Sequence, residues 1–267
     1  MTVRCKWRRL AGAAALSWLA AGAQAQSAAP QWEVSAGVLH RRLVERGDDG
    51  SRLVTESGPL LRLAVSGQLA LASGGSLRAE AGVAGGELDY AGRTQAGAPL
   101  TTDSRHRDLD ATLAWRPWPA AAWGEAWVLL HALQQRRDIA GTAGVGGLRE
   151  TSALLLPGLR WSRDFDAAGW RWQPSVEVRA SVWHQVDVDY HGVFDSQDLD
   201  GGHRNELSLA LQAWAPASPW RWSLEWTRSQ QSPSHTETVR RNGVAAGTVR
   251  QPRIEIDDVM LRATRAF

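Results

Sequence analysis

The chain has a single cysteine, Cys5, in 267 residues. That excludes an intrachain disulfide framework, and it leaves no thiol chemistry once the N-terminal segment is removed. After that segment, no stretch of about 18 uninterrupted apolar residues occurs, so no transmembrane helix is expected. Gly-x-Ser-x-Gly is missing, which removes support for a hydrolase nucleophile elbow. No Gly-rich phosphate loop follows a strand and opens a helix, and Gly141 to Gly147 reads as a flexible loop tip. His40, His106, His131, His184, His203 and His235 are scattered, without the close-spaced pair that zinc requires. No metal and no cofactor is expected. Charge of one sign is also lacking: 30 basic residues face 28 acidic ones, for a net of +2. Nothing there marks a nucleic-acid binder.

The N-terminus carries an export pattern. Arg4, Lys6, Arg8 and Arg9 form a basic region, Leu10 to Ala21 is short and apolar, and Ala23-Gln24-Ala25 is a small-x-small cleavage site. Residues 1–25 are expected to be a cleaved signal peptide, and residues 26–267 one domain. Removing four positive charges takes the net charge from +2 to −2. Cys5 leaves with the signal and precedes the apolar run, unlike a lipoprotein cysteine.

What the rest holds is alternation. In Leu61 to Leu71, Leu61, Leu63, Val65, Leu69 and Leu71 share one face, and Arg62, Ser66 and Gln68 share the other. The same period of two runs through Ser76 to Tyr90, Arg105 to Arg116, Trp170 to Val182, Glu206 to Ala213 and Trp220 to Trp226. Around Trp127 to Leu133, two apolar rows compete for one face. Leu148 to Arg163 shares that ambiguity, and its Pro157 lacks a ladder donor. At the C-terminus, Val259, Leu261, Ala263 and Phe267 fall on one side and Arg262, Thr264 and Ala266 on the other. A period-two strand ending on an aromatic residue resembles the assembly signal of bacterial outer-membrane β-barrels. An exported chain without helical spans can enter a membrane only as a closed barrel. The expected fold is all-β, a transmembrane antiparallel up-and-down β-barrel of about ten strands, with eight to twelve allowed.

Tryptophans set the orientation. Trp115, Trp118 and Trp123 flank one short connection, Trp161, Trp170 and Trp172 another, and Trp214, Trp220 and Trp222 a third. Aromatic girdles mark membrane interfaces, so these turns are expected to be periplasmic. The longer alternate connections, near 46–52, 91–104, 138–147, 189–203 and 229–253, are then extracellular. The expected location is the outer membrane of a Gram-negative bacterium, as a monomer. The expected partners are outer-membrane lipid and lipopolysaccharide, and the barrel-assembly machinery through the strand ending in Phe267.

Charges of both signs point inward: Arg62, Arg78, Glu80, Asp108, Asp110, Arg160, Arg171, Glu177, Arg179, Glu206, Glu225 and Arg262. A bore of about ten strands is narrow enough for side chains to fill. A salt-bridged plug is one reading and a narrow solute channel another.

The loops hold the remaining chemistry. Asp187-Val-Asp189-Tyr-His191 places Asp187, Asp189 and His191 on the inward face if strand pairing continues. A carboxylate beside an imidazole can fix its tautomer and support a general base. Glu87-Leu-Asp89 tops the third strand, sharing a face with Val83 unless Gly85-Gly86 forms a bulge. Two nearby acids can orient a water. Asp195, Asp198 and Asp200 are oxygen ligands, but their spacing matches no twelve-residue calcium loop. Asn242-Gly243 is a hairpin turn signal.

An acidic pair before the second outer loop and an Asp-x-His in the fourth make the chain resemble the omptins, as does Thr102-Asp103-Ser104-Arg105-His106. Those are outer-membrane aspartyl-type proteases. The resemblance implies catalytic roles for Glu87, Asp89, Asp189 and His191, which would activate a water across the barrel mouth. It also implies basic peptides as substrates. Glu87 departs from the family, which has aspartate there. Three functions therefore stand at this point: a structural or surface-interaction barrel, an omptin-like protease and a narrow channel.

Overall fold

The computed structural model describes residues 31–93, 98–142 and 146–267. The expected signal peptide and Cys5 lie outside the described residues. Every described element is a β-strand. β1 (Gln31–Arg46), β2 (Arg52–Ala70), β3 (Ser76–Arg93), β4 (Pro99–Arg116) and β5 (Glu125–Ile139) are successive antiparallel neighbours. The next wall is β6 (Leu148–Ser162), continued by β7 (Phe165–Ala167). Then come β8 (Trp170–Ala180) with β9 (Trp183–Asp189), and β10 (Gln197–Asp200) with β11 (Arg204–Trp214). After β12 (Trp220–Gln231), a hairpin of β13 (Glu237–Arg241) and β14 (Val244–Val249) precedes β15 (Arg253–Ala266). β15 pairs with β1 from Ala266 opposite Glu33 to Arg253 opposite Arg46, so the sheet closes. Counting interrupted strands once, the closed wall has ten staves, as the alternation predicts. Closure leaves the wall without a free edge, which a sheet in lipid requires.

The faces sort as expected. Leu61, Leu63 and Val65 of β2, Leu109 and Leu113 of β4, and Leu207, Leu209 and Leu211 of β11 are exposed on the outside. β5 resolves in favour of Val128, Leu130 and Ala132 outside, while Trp127, Leu129 and His131 are buried inside. The outer apolar band is shorter than the strands. On β2 it gives way to Ser57 and Thr55 above Leu61, and on β4 to Arg107 and Arg105 above Leu109. The strands therefore continue beyond the band at the end with the long loops (the loop end). Trp115, Trp118, Trp123, Trp161, Trp170, Trp220 and Trp222 are exposed around the opposite, short-turn end. Trp214 departs from this girdle and lines the bore, with the Arg221 guanidinium 5.1 Å from its ring centroid. Arg265, on the lipid side of β15, lies 5.8 Å from the Trp220 ring and 5.1 Å from that of Phe267. Such cation–π seating suits a charge at a membrane interface.

One irregularity sets the loop end. Gly158 lies opposite Arg179, but Leu155 lies opposite Trp183, so β8 and β9 together hold one residue more than the β6 segment they face. The bulge falls at Ser181 and Val182, beside Pro157, which has no amide proton for the ladder. Val182 and Trp183 are consecutive and both exposed, whereas Ser181 and His184 are buried. Above the bulge, inside and outside have exchanged parity. At the hairpin, Asn242 and Gly243 have φ of 52° and 79°, the pair of positive values that a type I′ turn needs.

Candidate functional site

The bore is a column of arginine and carboxylate. After Lys6 the sequence has no lysine, so every cation inside is a guanidinium, able to fork onto two acceptors. At the turn end, Glu33 accepts from Arg78 at 2.8 Å and from Arg221 at 2.9 Å. Arg62 reaches across to Asp110, with Nη2 to Oδ2 at 2.9 Å. A Cβ on Gly82 would sit 2.6 Å from that guanidinium, so glycine leaves it room to cross. Higher up, Arg179 is 2.9 Å from Glu177 and 3.1 Å from Glu206. Arg41 bridges Asp108 and Asp258, each at 2.9 Å. These groups line a cavity of about 450 Å³. It reaches the turn end at Gln31, Asp164 and Arg171, which are exposed.

Toward the loop end the bore is filled. Arg41, Gln135 and Arg204 separate the large cavity from a second one of about 40 Å³. Arg204 bonds Gln135 at 2.6 Å and Glu206 at 2.7 Å. Beyond them Arg137 gathers three carboxylates: Glu45 at 2.5 Å, Glu150 at 2.9 Å, and Glu56. Glu56 also lies 2.6 Å from His106 Nε2. Apolar side chains complete the closure, with Val54, Tyr90 and Ile139 in one cluster and Val186, Val188 and Leu199 in another.

Glu56 stands above the apolar band, level with the polar outer residues Thr55 and Ser57. Burial opposes its charge, but the Arg137 guanidinium and the hydrogen bond with His106 outweigh burial and lower its pKa from 4.5 to about 2. The sign follows. A carboxyl with a depressed folded-state pKa contributes stability above its unfolded value and loses it as pH falls. The loop end is therefore expected to lose stability between about pH 4.5 and 2. In Glu56→Gln this part of the acid sensitivity should be absent, as measured by urea midpoints at stepped pH. An unchanged profile would sink the assignment.

The four residues implied by the omptin resemblance are not brought together. The register is unchanged across Gly85 and Gly86, with Leu61 opposite Gly85 and Ser57 opposite Asp89, and pairing with β4 is continuous there, so no bulge turns β3. Glu87 and Asp89 are thus on the outer face and exposed, while Leu88 and Tyr90 point in. Glu87 lies 3.5 Å from Arg105. Asp187 and Asp189 were expected inside, but the bulge at Ser181 and Val182 turns them outward. Asp189 Oδ1 accepts from the His191 amide at 2.9 Å, and Oδ2 is 3.7 Å from Arg149. His191 is exposed, with φ of 50°. β4, β5 and β6 separate the two pairs along the wall. Alanine at His191 or Asp189 is expected to leave cleavage of a dibasic peptide by whole cells unchanged. A large drop would restore the proteolytic pair.

The acidic fourth loop has another use. The Asp195 carboxylate accepts from the amides of Asn242 at 3.0 Å and Gly243 at 2.9 Å, pinning the hairpin turn. Among the described residues no group of three acids, histidines or cysteines is placed to hold a metal.

Sequence reading missed Arg41, Asp258, Glu45, Glu56, His106, Arg137 and Glu150 as a set. The available signal was the inward parity continuing past the apolar band, which is polar on both faces there.

A closed ten-stave antiparallel barrel, with an apolar outer band, one aromatic girdle and a charged bore, has the fold of outer-membrane β-barrels. Among solved structures the chain is similar to the outer membrane protease OmpT from Escherichia coli. The TM-score is 0.55 at 10% identity, covering 89% of this chain and 96% of that one. It is also similar to the translocator domain of autotransporter NalP from Neisseria meningitidis (TM-score 0.49, 8% identity, 88% of each chain). A third match is Neisserial surface protein A, with TM-score 0.35 and 10% identity over 91% of this chain and 100% of that one. No protein-family model matches the sequence, and no curated protein does. At these identities the likeness shows the fold alone.

Proposed function

We propose that the protein is a non-conducting outer-membrane barrel whose loop end serves surface structure or interaction. The turn end faces the periplasm, and the C-terminal strand is the segment handed to the barrel-assembly machinery. The observation that carries this reading is the filled loop end. Leu88, Leu199, Glu56 and Val186 are among its fully buried side chains, in a bore that is open and polar farther down. A solute channel needs a continuous polar path, and here Arg41, Arg204 and Arg137 cross it, held by the buried carboxylates of Asp108, Glu206 and Glu56.

The loops add support. The hairpin is tied to the fourth loop through Asp195 and through Gln197, whose side-chain amide donates to the Thr238 carbonyl at 3.0 Å. Arg250 pairs with Asp48 of the first loop. A cap held this way presents a defined outer surface. Purified barrel in planar bilayers is expected to give no conductance steps above background. Reproducible single-channel steps from the wild-type protein would replace this reading with the channel.

A further inference from the structure

The outer wall just above the apolar band carries a feature that the plugged bore does not use. Arg107 of β4 and Arg136 of β5 stand directly opposite one another. Both lie on the outward face, continuing the rows of Leu109 and Gln134. Like charges directly across an antiparallel pair repel. Asp138 takes the Arg136 guanidinium through Nε at 2.9 Å and Nη2 at 3.3 Å. Arg107 is exposed, and its guanidinium makes no ion pair or hydrogen bond with any described residue.

The surroundings leave a seat beside Arg107. Its other neighbour across the sheet is Gly85. A Cβ at Gly85 would meet only the His106 carbonyl oxygen, at 3.5 Å. Gln134, exposed and opposite Leu109, brings a side-chain amide to the lower edge. Below that edge the wall is apolar, with Val83, Leu109 and Leu113 outside. The nearby carboxylates are already paired: Glu87 with Arg105, and Asp138 with Arg149 and with Arg136 of the site itself.

We infer that Arg107, Arg136 and Gln134 form a site for the phosphate group of an anionic lipid headgroup, whose acyl chains lie along Val83, Leu109 and Leu113. A phosphate between the guanidiniums relieves their repulsion, accepting a forked pair of hydrogen bonds from Arg107 and one from the Arg136 Nη1 that Asp138 leaves open. The height is right, because headgroup phosphates sit where an outer wall changes from apolar to charged. The site rests on the membrane placement proposed above.

The test uses the full mature barrel in phosphatidylcholine nanodiscs doped with phosphatidic acid, with lipid adducts counted by native mass spectrometry. Wild type is expected to retain phosphatidic acid over phosphatidylcholine. Arg107→Gln should lower that retention about five-fold, and Arg107→Gln with Arg136→Gln further. Heat-modifiable mobility on gels confirms that each variant is folded. A folded double variant retaining as much phosphatidic acid as wild type would overturn the site and leave the membrane reading intact. Displacement of the lipid by equimolar inorganic phosphate would overturn the lipid as its occupant. Failure of the wild type to enter any bilayer would instead remove the membrane reading itself.

Discussion

Arg137→Ala is expected to destabilise the barrel by about 3–5 kcal/mol, the cost of removing one partner from a buried ion cluster. Three carboxylates, on Glu45, Glu56 and Glu150, converge on this one guanidinium. Without it they face one another in a space closed by apolar side chains, with His106 the remaining hydrogen-bond partner in reach of Glu56. The effect should appear as a lower urea midpoint for unfolding from detergent. A companion variant sharpens the reading. Replacing Arg137 by Met and Glu56 by Leu together removes a charge of each sign and should cost less than Arg137→Ala alone. If the single and double variants unfold alike, the cluster is solvated and does not act as a buried lock.

A change on the opposite face of the wall should be nearly as large. Leu63→Arg is expected to cost about 2–4 kcal/mol in a lipid bilayer, because the position lies in the middle of the outer apolar row. Leu63 is 60% exposed and flanked on its strand by the equally outward Leu61 and Val65. In a water-soluble protein, arginine there would be close to neutral. Leu69→Arg, nearer the turn end, should cost only about 0–1 kcal/mol. The contrast between the two, measured as folding free energy into lipid vesicles, tests the membrane reading apart from any function. Equal, small costs at both positions would refute it.

How far the chain can be read by eye differs along each strand. Through the apolar band, period two is unambiguous, because one face meets lipid and the other a charged bore. Arg62, Glu80, Asp110, Glu177 and Glu206 are all inward, as the alternation requires. Above the band both faces are polar and the contrast vanishes. The sequence there reads as loop, and β4 begins at Pro99 rather than near Arg105. His106 and Arg137 cannot be read as partners of one carboxylate for the same reason. Neither is unusual in its own strand, and each matters through Glu56 on a strand 50 or more positions away.

Local composition settled that this is a barrel of alternating strands, with tryptophan at its short turns and Phe267 closing its final stave. Those properties depend on side-chain direction along a strand, which needs no knowledge of neighbours. The tertiary structure alone decided which face Asp187 and Asp189 present and which carboxylates Arg137 holds. It alone showed that no bulge at Gly85 and Gly86 turns Glu87 and Asp89 away from the outer face that parity assigns them. The physical reason is register. A single extra residue at Ser181 and Val182 exchanges inside for outside over the rest of β9, and only pairing with β6 reveals it.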